Sequence, residues 1–201
     1  MIFLDSAIIS VYKKDKLDLL LEGLTGINPN INIVSSGGTA RKIKELGYNV
    51  VEVSDYTGFP ESPGGLVKTL HPKVHGGILL DKNSPEEYRY LMSQKINSFD
   101  IVVCNLYPFK ETVERGAGIA ETVEMIDIGG PTLIRSAAKG CLRKGSPITV
   151  VDPEDYGFIL EQISERGSFS YSDSLRLAKK AFRHTRDYDT EISKWLGELD
   201  E

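Results

Sequence analysis

Short runs of β-branched residues alternate along the chain with longer segments whose apolar residues recur every three or four positions. The short runs predict five buried strands: AIISV (7–11), INIV (31–34), NVVEV (49–53), DIVVCNL (100–106) and PITVV (147–151). The longer segments predict amphipathic helices: KLDLLLEGL, TARKIKEL, PEEYRYLMSQ and GPTLIRSAAK. This alternation favours an α/β fold with a mainly parallel sheet and helices on both of its faces.

The last third of the chain adds two more helices. The sequence DPED at 152–155 predicts a helix that runs to about Arg166, and a final helix begins near Ser172. The apolar residues of the final helix follow the helical repeat and predict a packing stripe: Leu175, Ala178, Phe182, Ile192, Trp195 and Leu199. Because no repeat or low-complexity linker interrupts the pattern, we expect one domain over residues 1–201 with a helical C-terminal end.

Composition and charge exclude several classes of function. The net charge of −5 is too mild to favour nucleic acid or an anionic membrane as a partner. The first ten residues lack the basic region of a signal peptide, and no apolar run approaches the ~20 residues of a membrane span. We therefore expect a cytoplasmic protein in which Cys104 and Cys141 are reduced core thiols.

The segment IVSSGGTARKIKEL is the first candidate for chemistry. A strand that ends at Val34 turns through Ser36, Gly37 and Gly38, and a helix follows near Thr39. Glycines let backbone amides approach a ligand, and a helix N-terminus carries unpaired N–H groups that favour a phosphate. The alternative is a tight capped turn of the kind that any α/β protein uses.

Further polar residues follow the other predicted strands. Ser10 and Lys14 follow the first strand, and Asn105 and Tyr107 follow the fourth. Since ligands of open α/β sheets bind at the carboxyl ends of the strands, these side chains are candidates for the same site. The alternatives are a solvated helix start for the lysines and a rim aromatic packed on Phe109 for the tyrosine.

The stretch GGLVKTLHPKVHGG, residues 64–77, predicts an irregular loop that presents Lys68 and Thr69. A lysine held there acts as a point charge toward a phosphate or a developing oxyanion. His71 and His75 stand four residues apart, which is a metal-binding spacing only on a helix. Pro72 and the Gly76–Gly77 pair argue against that helix, so we expect no metal.

The segment MIDIGGPTLIRSAAKG, residues 125–140, contains two further charged candidates. Asp127 precedes a glycine pair, Pro131 suits the first turn of a helix, and Lys139 followed by Gly140 predicts the helix end. A straight helix over 131–139 would separate its ends by ~12 Å. Asp127 and Lys139 therefore share a site only if this helix is shorter or the chain folds back.

Together these segments resemble the IMP cyclohydrolase family, the N-terminal half of the bifunctional enzyme that completes purine nucleotide synthesis. The resemblance covers nearly the whole chain and rests on SGGTA, TGFPE, GG-VKTLHPKVHGGIL, CNLYPF, IDIGG-TL-R-AAK and AF-HT-DYD. It implies a Rossmann-like three-layer sandwich shared with methylglyoxal synthase. It also implies closure of 5-formamidoimidazole-4-carboxamide ribotide to IMP with loss of water, without a cofactor or a metal.

The resemblance assigns roles to individual residues. The 5′-phosphate would be bound by Ser36, Gly37, Gly38 and Thr39, assisted by Ser10, Lys14 and Thr69. The base would be lined by Cys104, Asn105, Asp127 and Ile128. The catalytic set would be Lys68, Tyr107, Asp127 and Lys139, with proton transfer by Lys139 coupled to Asp127 and oxyanion stabilisation by Lys68 and Tyr107.

The chain departs from the family pattern at three positions. Leu66 stands where the family usually has arginine, and Tyr12 and Lys13 in SVYKK stand where it usually has SVSDK. We expect Lys13 to replace part of the positive charge that is missing at position 66. The loss at position 66 leaves the affinity for the nucleotide open.

Two other functions are also compatible with the sequence. A purine-nucleotide-binding regulatory module of the same fold is the main alternative, and Leu66 favours it. Methylglyoxal synthase shares the fold and the phosphate turn but would not account for KTLHP or CNLYPF. The chain ends about where the family's formyltransferase half begins, so a stand-alone protein, a fragment, a homodimer and a separate formyltransferase partner are all left open.

Overall fold

A parallel sheet forms the centre of the part of the chain that this computed structural model describes, residues 4–60, 62, 65, 67–167 and 169–199. Its five strands in those ranges are β1 (Ser6–Ser10), β2 (Asn32–Ser35), β3 (Val51–Glu52), β4 (Ile101–Cys104) and β5 (Ile148–Val150). They lie in the order β3-β2-β1-β4-β5, and every neighbouring pair is parallel. The chain thus winds outward from a central β1 in both directions.

Helices connect and cover these strands. In chain order they are α1 (Leu17–Ile27), α2 (Gly37–Glu45), α3 (Val53–Thr57), α4 (Pro72–Leu79), α5 (Pro85–Ser93), α6 (Phe109–Glu114), α7 (Ile119–Glu124), α8 (Gly129–Lys144), α9 (Tyr156–Arg166) and α10 (Tyr171–Glu198). A 3₁₀ turn at Pro153–Asp155 precedes α9. None of these helices, in the described ranges, combines the length and apolar character that a membrane span requires.

The two faces of the sheet bury separate hydrophobic cores. In β1, Ala7 and Ile9 pack in the core shared with α1 and α9, whereas Ile8 packs with α4, α8 and α10. This is the two-residue alternation of a strand between two helical layers. The predicted α/β class is therefore confirmed, and all five predicted strands are present. Strands β1 and β2 are displaced by one residue, and β3, β4 and β5 are shorter than predicted.

The prediction that Gly140 ends the eighth helix is wrong. Helix α8 continues to Lys144, and Gly145 ends it in the left-handed conformation with φ 77°. Gly140 serves packing instead, because a Cβ at this position would lie 2.6 Å from the Ile78 carbonyl oxygen of α4. The glycine is what allows α8 and α4 to approach each other.

The argument against a helix after His71 is also wrong. Pro72 occupies the first helical position of α4, where its missing N–H costs nothing. The His71 ring caps the helix, since its Nδ1 accepts a hydrogen bond from the Lys73 N–H at 3.1 Å. Gly77 is buried where a side chain would collide with the Asn97 carbonyl oxygen, so this glycine too reflects close packing.

We expect Gly140→Ala to lower the free energy of unfolding by about 1–3 kcal/mol, because the added methyl group overpacks the α4–α8 contact. This outcome opposes the ordinary gain of roughly 1 kcal/mol when alanine replaces glycine in a helix. Gly157→Ala in α9 is the matched control, since no described heavy atom lies within 4 Å of its added Cβ. Urea denaturation of both variants decides the matter, and equal stabilisation by both would contradict the packing role.

Candidate functional site

The carboxyl ends of three neighbouring strands align at one edge of the sheet. The register pairs Ile9 with Ser35 and Ser10 with Cys104. The residues that follow these pairs, from Val11, Ser36 and Asn105 onward, therefore emerge side by side. This is the edge at which open α/β sheets bind ligands.

A cavity of about 450 Å³ opens at this edge. It is bounded by the turn after β1, the start of α2, the 65–69 loop, the segment after β4 and the 124–130 segment that leads into α8. Of the residues proposed from the sequence, its lining contains Ser10, Lys14, Ser36, Gly38, Thr39, Lys68, Thr69, Asn105, Tyr107, Asp127 and Ile128. Its volume suits a small ligand, for which pockets measure roughly 300–1,000 Å³.

One end of the cavity is built to receive an anion. Gly37 opens α2 with a φ of 53°, a conformation that L side chains rarely adopt. A side chain at this position would also collide with the Lys68 ammonium group, which lies against the glycine. Lys14 lies close to Gly38. Two ammonium groups and the N-terminus of α2 thus provide positive charge at the same place.

Thr39 has a structural function in this turn that the sequence does not reveal. Its hydroxyl donates to the Val11 carbonyl oxygen at 2.8 Å and accepts from the Val11 N–H at 3.1 Å. Because the hydroxyl proton is donated to the backbone, the hydroxyl does not donate to a ligand in this geometry, and the assignment of Thr39 to the phosphate stays a prediction. The residue instead holds the turn after β1 against the start of α2.

The segment of the cavity wall that leads into α8 contains a half-buried carboxyl group. The Asp127 Oδ1 accepts a hydrogen bond from the Gly130 N–H at 2.8 Å. Burial raises the pKa of this carboxyl, and the backbone N–H groups of Gly130, Tyr107 and Gly129 offset part of that rise. A raised pKa close to a ligand cavity is typical of a group that exchanges protons.

Tyr107 lies beside Asp127 with its ring partly exposed. Burial raises the pKa of its phenol, and the nearby Asp127 carboxylate raises it further. The phenol therefore keeps its proton at neutral pH and remains a hydrogen-bond donor toward the cavity. Asp127 and Tyr107 together place a proton acceptor and a proton donor on one wall.

Tyr188 in α10 supports this wall, and sequence reasoning assigned it no role. Its hydroxyl accepts from the Asp127 N–H at 2.8 Å and donates to the Met125 carbonyl oxygen at 2.5 Å. Burial raises the pKa of Tyr188 to about 12, so the donor proton is retained. The signal for it was the late DYD motif, but a contact across 61 positions of sequence is visible only after folding.

Asn105 lines the cavity and also connects two segments of its rim. Its Oδ1 accepts from the Tyr12 N–H at 2.6 Å and the Lys13 N–H at 3.2 Å, and its Nδ2 donates to the Lys13 carbonyl oxygen at 2.8 Å. The side chain thus joins the turn after β1 to the segment after β4. Cys104, proposed to line the base, is buried in the hydrophobic core, and Cys141 is likewise a buried free thiol.

Lys139 lies away from the described lining of the cavity. It is exposed in the middle of α8, ten residues after Gly129, and so about 15 Å along the helix axis from the cavity. The condition stated for a site shared with Asp127 is not met within one chain, because α8 is longer than expected and not shorter. The catalytic assignment of Lys139 stays a prediction.

Lys13 does not replace the charge missing at position 66. Its ammonium group pairs with Glu111 of α6 at 2.5 Å and lies in a neighbouring cavity of about 560 Å³. Leu66 itself lies outside the described residues. The neighbouring cavity shares Asn105 and Tyr107 with the candidate site, and its Lys13 and Lys180 pair with the carboxylates of Glu111 and Asp152.

Within the described ranges, no group of three His, Cys, Asp or Glu side chains is arranged to hold a metal ion. His75, one of the two histidines four residues apart, contacts the Ser136 hydroxyl through Nδ1 at 2.9 Å.

Comparison with known families decides the relationship of the chain. A family model described as the MGS-like domain matches residues 21–132, over half of the chain. The chain belongs to the MGS-like domain family. A second model, described as the AICARFT/IMPCHase bienzyme, matches residues 144–201, which include α9 and α10. The resemblance drawn from the sequence motifs is thereby confirmed at the level of the family.

Curated relatives and a solved structure agree with this placement. The chain is 52% identical over 166 residues to the bifunctional purine biosynthesis protein PurH of Persephonella marina, covering 83% of the chain and 32% of the relative. It is 45% identical over 190 residues to PurH of Mycobacterium marinum, covering 94% and 35%. The chain thus spans about a third of the length of these relatives. The crystal structure of ForH matches with a TM-score of 0.77 and 30% identity, covering 94% of this chain and 96% of that one.

We expect Tyr188→Phe to loosen the Asp127 wall, because the Asp127 N–H loses its acceptor. The free energy of unfolding should fall by about 1–3 kcal/mol, the cost of leaving a buried polar group unsatisfied. Amide exchange at Asp127 should become faster. Tyr171→Phe is the control on the same helix, since Tyr171 is 62% exposed. Unchanged exchange at Asp127 in Tyr188→Phe would contradict the supporting role.

Proposed function

We propose that this chain binds a purine nucleotide precursor in the described cavity and acts as an IMP cyclohydrolase. In 5-formamidoimidazole-4-carboxamide ribotide, the carboxamide nitrogen attacks the neighbouring formyl carbon and the second purine ring closes. The carboxamide and formamido nitrogens each give up one proton, and the formyl oxygen leaves with both as water. The reaction transfers no electrons between molecules, so it requires no redox cofactor.

The observation that carries this proposal is that one cavity contains both an anion-binding turn and a pair of groups suited to proton transfer. The glycine turn at the start of α2 accepts an anion, and the Asp127–Tyr107 wall exchanges protons. A nucleotide monophosphate has the same polarity, with a phosphate at one end and the reacting base at the other. The similarity to PurH proteins supports the same assignment.

The phosphate end combines charge with backbone donors. Lys14 and Lys68 supply two cations, and the N-terminus of α2 supplies N–H groups. Ser10, Ser36 and Thr69 also line the cavity. Lys68 has a flexible four-carbon stem, so its ammonium group can turn from Gly37 toward the reacting formyl oxygen, the role proposed for it.

Ring closure makes two chemical demands on the residues around the reacting base. A carboxamide nitrogen is a weak nucleophile and must lose a proton, and the formyl oxygen must gain charge and then protons. Ionised Asp127 is placed to accept a proton, and the Tyr107 phenol is placed to donate to the oxygen. Because both reacting groups belong to one molecule, holding them in contact supplies much of the acceleration.

Lys139 can assist only from a second copy of the chain. It is exposed on α8, beyond reach of its own cavity. The rim of the cavity offers an apolar surface for such a copy, since Ile128 is 59% exposed and Ile119 and Val123 of α7 are exposed nearby in sequence. We therefore assign Lys139 to the proton transfer across a homodimer interface.

Methylglyoxal synthase is the other enzyme compatible with the fold. The match of residues 144–201 to the AICARFT/IMPCHase bienzyme model favours the cyclohydrolase. A regulatory module that binds the nucleotide without turnover has no need of a paired proton donor and acceptor. It is the outcome that the following assay would reveal.

We expect purified protein to convert the formylated carboxamide ribotide to IMP, followed by ultraviolet absorbance. Asp127→Asn should lower kcat by about 10²–10⁴-fold, because the proton acceptor is lost. In the wild type, kcat should rise with pH through the raised pKa of Asp127, and this acid limb should disappear in the variant. Binding of IMP without ring closure by the wild type would leave only the regulatory module.

The same substitution separates function from stability. The folded state raises the pKa of Asp127, so its stabilising contribution is complete below the ordinary pKa and is lost as pH rises through the folded value. At pH 7, Asp127→Asn should therefore unfold at an equal or higher urea concentration than the wild type. A lower midpoint would show that the variant is damaged and not merely inactive.

Mixing two inactive variants tests the role of Lys139. In a symmetric dimer, a heterodimer of Asp127→Asn and Lys139→Ala contains one cavity with both wild-type groups. Random mixing of equal amounts after denaturation and refolding should restore about a quarter of wild-type turnover. A mixture that stays as inactive as its components would place Lys139 outside the shared site, or exclude the dimer.

A further inference from the structure

Tyr12 is an aromatic side chain at the mouth of the cavity, at a position where the family pattern usually has serine. Its ring packs edge-on against Tyr107, with ring centroids 5.3 Å apart and an interplanar angle of 61°. Tyr12 also lines the cavity. Both rings remain partly exposed, Tyr12 at 45% and Tyr107 at 39%, so the contact is made at the rim and not in the core.

The backbone that carries Tyr12 is held firmly. Its N–H donates to the Asn105 Oδ1 at 2.6 Å, and its carbonyl oxygen accepts from the Lys14 ammonium group at 2.9 Å. The ring of Tyr12 therefore stands on a fixed base, although the side chain itself is exposed. An aromatic ring adds contact area at low entropic cost, because only two side-chain torsions must be ordered.

Tyr107 lies on an irregular segment between β4 and α6, where its N–H bonds the Asp127 carboxyl and its carbonyl oxygen accepts from the Phe109 N–H at 2.8 Å. Pro108 follows it directly, and α6 begins only at Phe109. The orientation of the phenol thus depends on side-chain contacts. Tyr12 supplies a lateral contact on the exposed side, and edge-to-face packing is a favoured geometry for two aromatic rings.

Lys13, the neighbouring departure from the family pattern, contacts the same segment. It pairs with Glu111 in α6, four residues beyond Tyr107. Both side chains of that pair are about half exposed, at 53% and 54%, so the ion pair contributes little by itself. The two unusual residues nevertheless bind one target, the segment that presents Tyr107.

We propose that Tyr12 is a positioning residue that holds the Tyr107 phenol in the orientation needed to donate to the reacting oxygen. The catalytic half of this statement rests on the proposed function, because the role of Tyr107 comes from it. The structural half, that Tyr12 orders and covers Tyr107, stands on the ring geometry. Burial is the largest cause of the raised pKa of Tyr107, and the charge of the Tyr12 hydroxyl is a smaller cause that ranks after Asp127.

The test compares Tyr12→Ser, which installs the usual family residue, with Tyr12→Phe, which keeps the ring. We expect Tyr12→Ser to lower kcat about tenfold with KM nearly unchanged, because the donor is misplaced and the substrate contacts remain. Tyr12→Phe should retain wild-type kcat. Tyr90→Ser on α5 is the matched control, as Tyr90 is 52% exposed and lies outside the described lining of the cavity. Thermal unfolding confirms that each variant is folded.

The second readout does not depend on turnover. The pKa of Tyr107 is followed by NMR of ring-labelled tyrosine, with Tyr107→Phe providing the assignment among nine tyrosines. In Tyr12→Ser this pKa should fall toward its ordinary value, since the ring loses its cover, and in Tyr12→Phe it should stay raised.

The outcomes separate this proposal from the proposed function. A raised KM with unchanged kcat in Tyr12→Ser would mean that the ring binds substrate, and an unchanged Tyr107 pKa would mean that it does not cover the phenol. Either result overturns the positioning role. If the wild type closes no ring, the proposed function fails, and a lowered Tyr107 pKa in Tyr12→Ser still supports the structural half.

Discussion

The pairing of β1 with β2 on one side and β4 on the other is the constraint on which the candidate site depends. Parallel strands in register end at the same edge, so the residues after Ser10, Ser35 and Cys104 emerge together. Two side chains then join these ends. Thr39 bonds both backbone groups of Val11, and Asn105 bonds the backbone of residues 12 and 13. These polar groups fix the geometry of the cavity through their bonds to the backbone.

Burial of Asp127 raises the pKa of its carboxyl group, which suits the proposed proton transfer but lowers the stability of the fold. A carboxyl group that is ionised in a half-buried place lowers the stability of the fold at neutral pH. The surrounding structure offsets this cost with the Gly130 N–H and by fixing the Asp127 backbone through Tyr188. Gly130 has to be glycine, because a side chain would collide with the Asp127 carboxyl and Leu106. The DIGG motif is thus the local sequence that one buried carboxyl requires.

Helix ends supply much of the electrostatic design. The N-termini of α2 and α8 both meet the cavity, one at the glycine turn and the other at Gly129. The partial positive charge of the first favours a phosphate, and that of the second favours the ionised form of Asp127. The length of α8 has the opposite effect on Lys139, which it carries away from the cavity of its own chain. Helix α8 therefore begins beside Asp127, which lines the cavity, and ends its third turn at Lys139, which does not.

The sequence alone determined the five strands, the longer helices α1, α2, α5, α8, α9 and α10, and the glycine turn, because these follow from local periodicity and from backbone conformations that only glycine adopts easily. It did not determine the short helices α3, α4, α6 and α7. It also determined most of the residues that line the cavity, since polar residues that follow parallel strands must meet at one edge. Tertiary structure decided what local pattern could not show. Gly140 is a packing contact and not a helix end, the Thr39 hydroxyl bonds Val11, and Tyr188 reaches Asp127 from a distant helix. The physical reason is the same in each case: the deciding partner lies far away in sequence, and only folding brings it within contact distance.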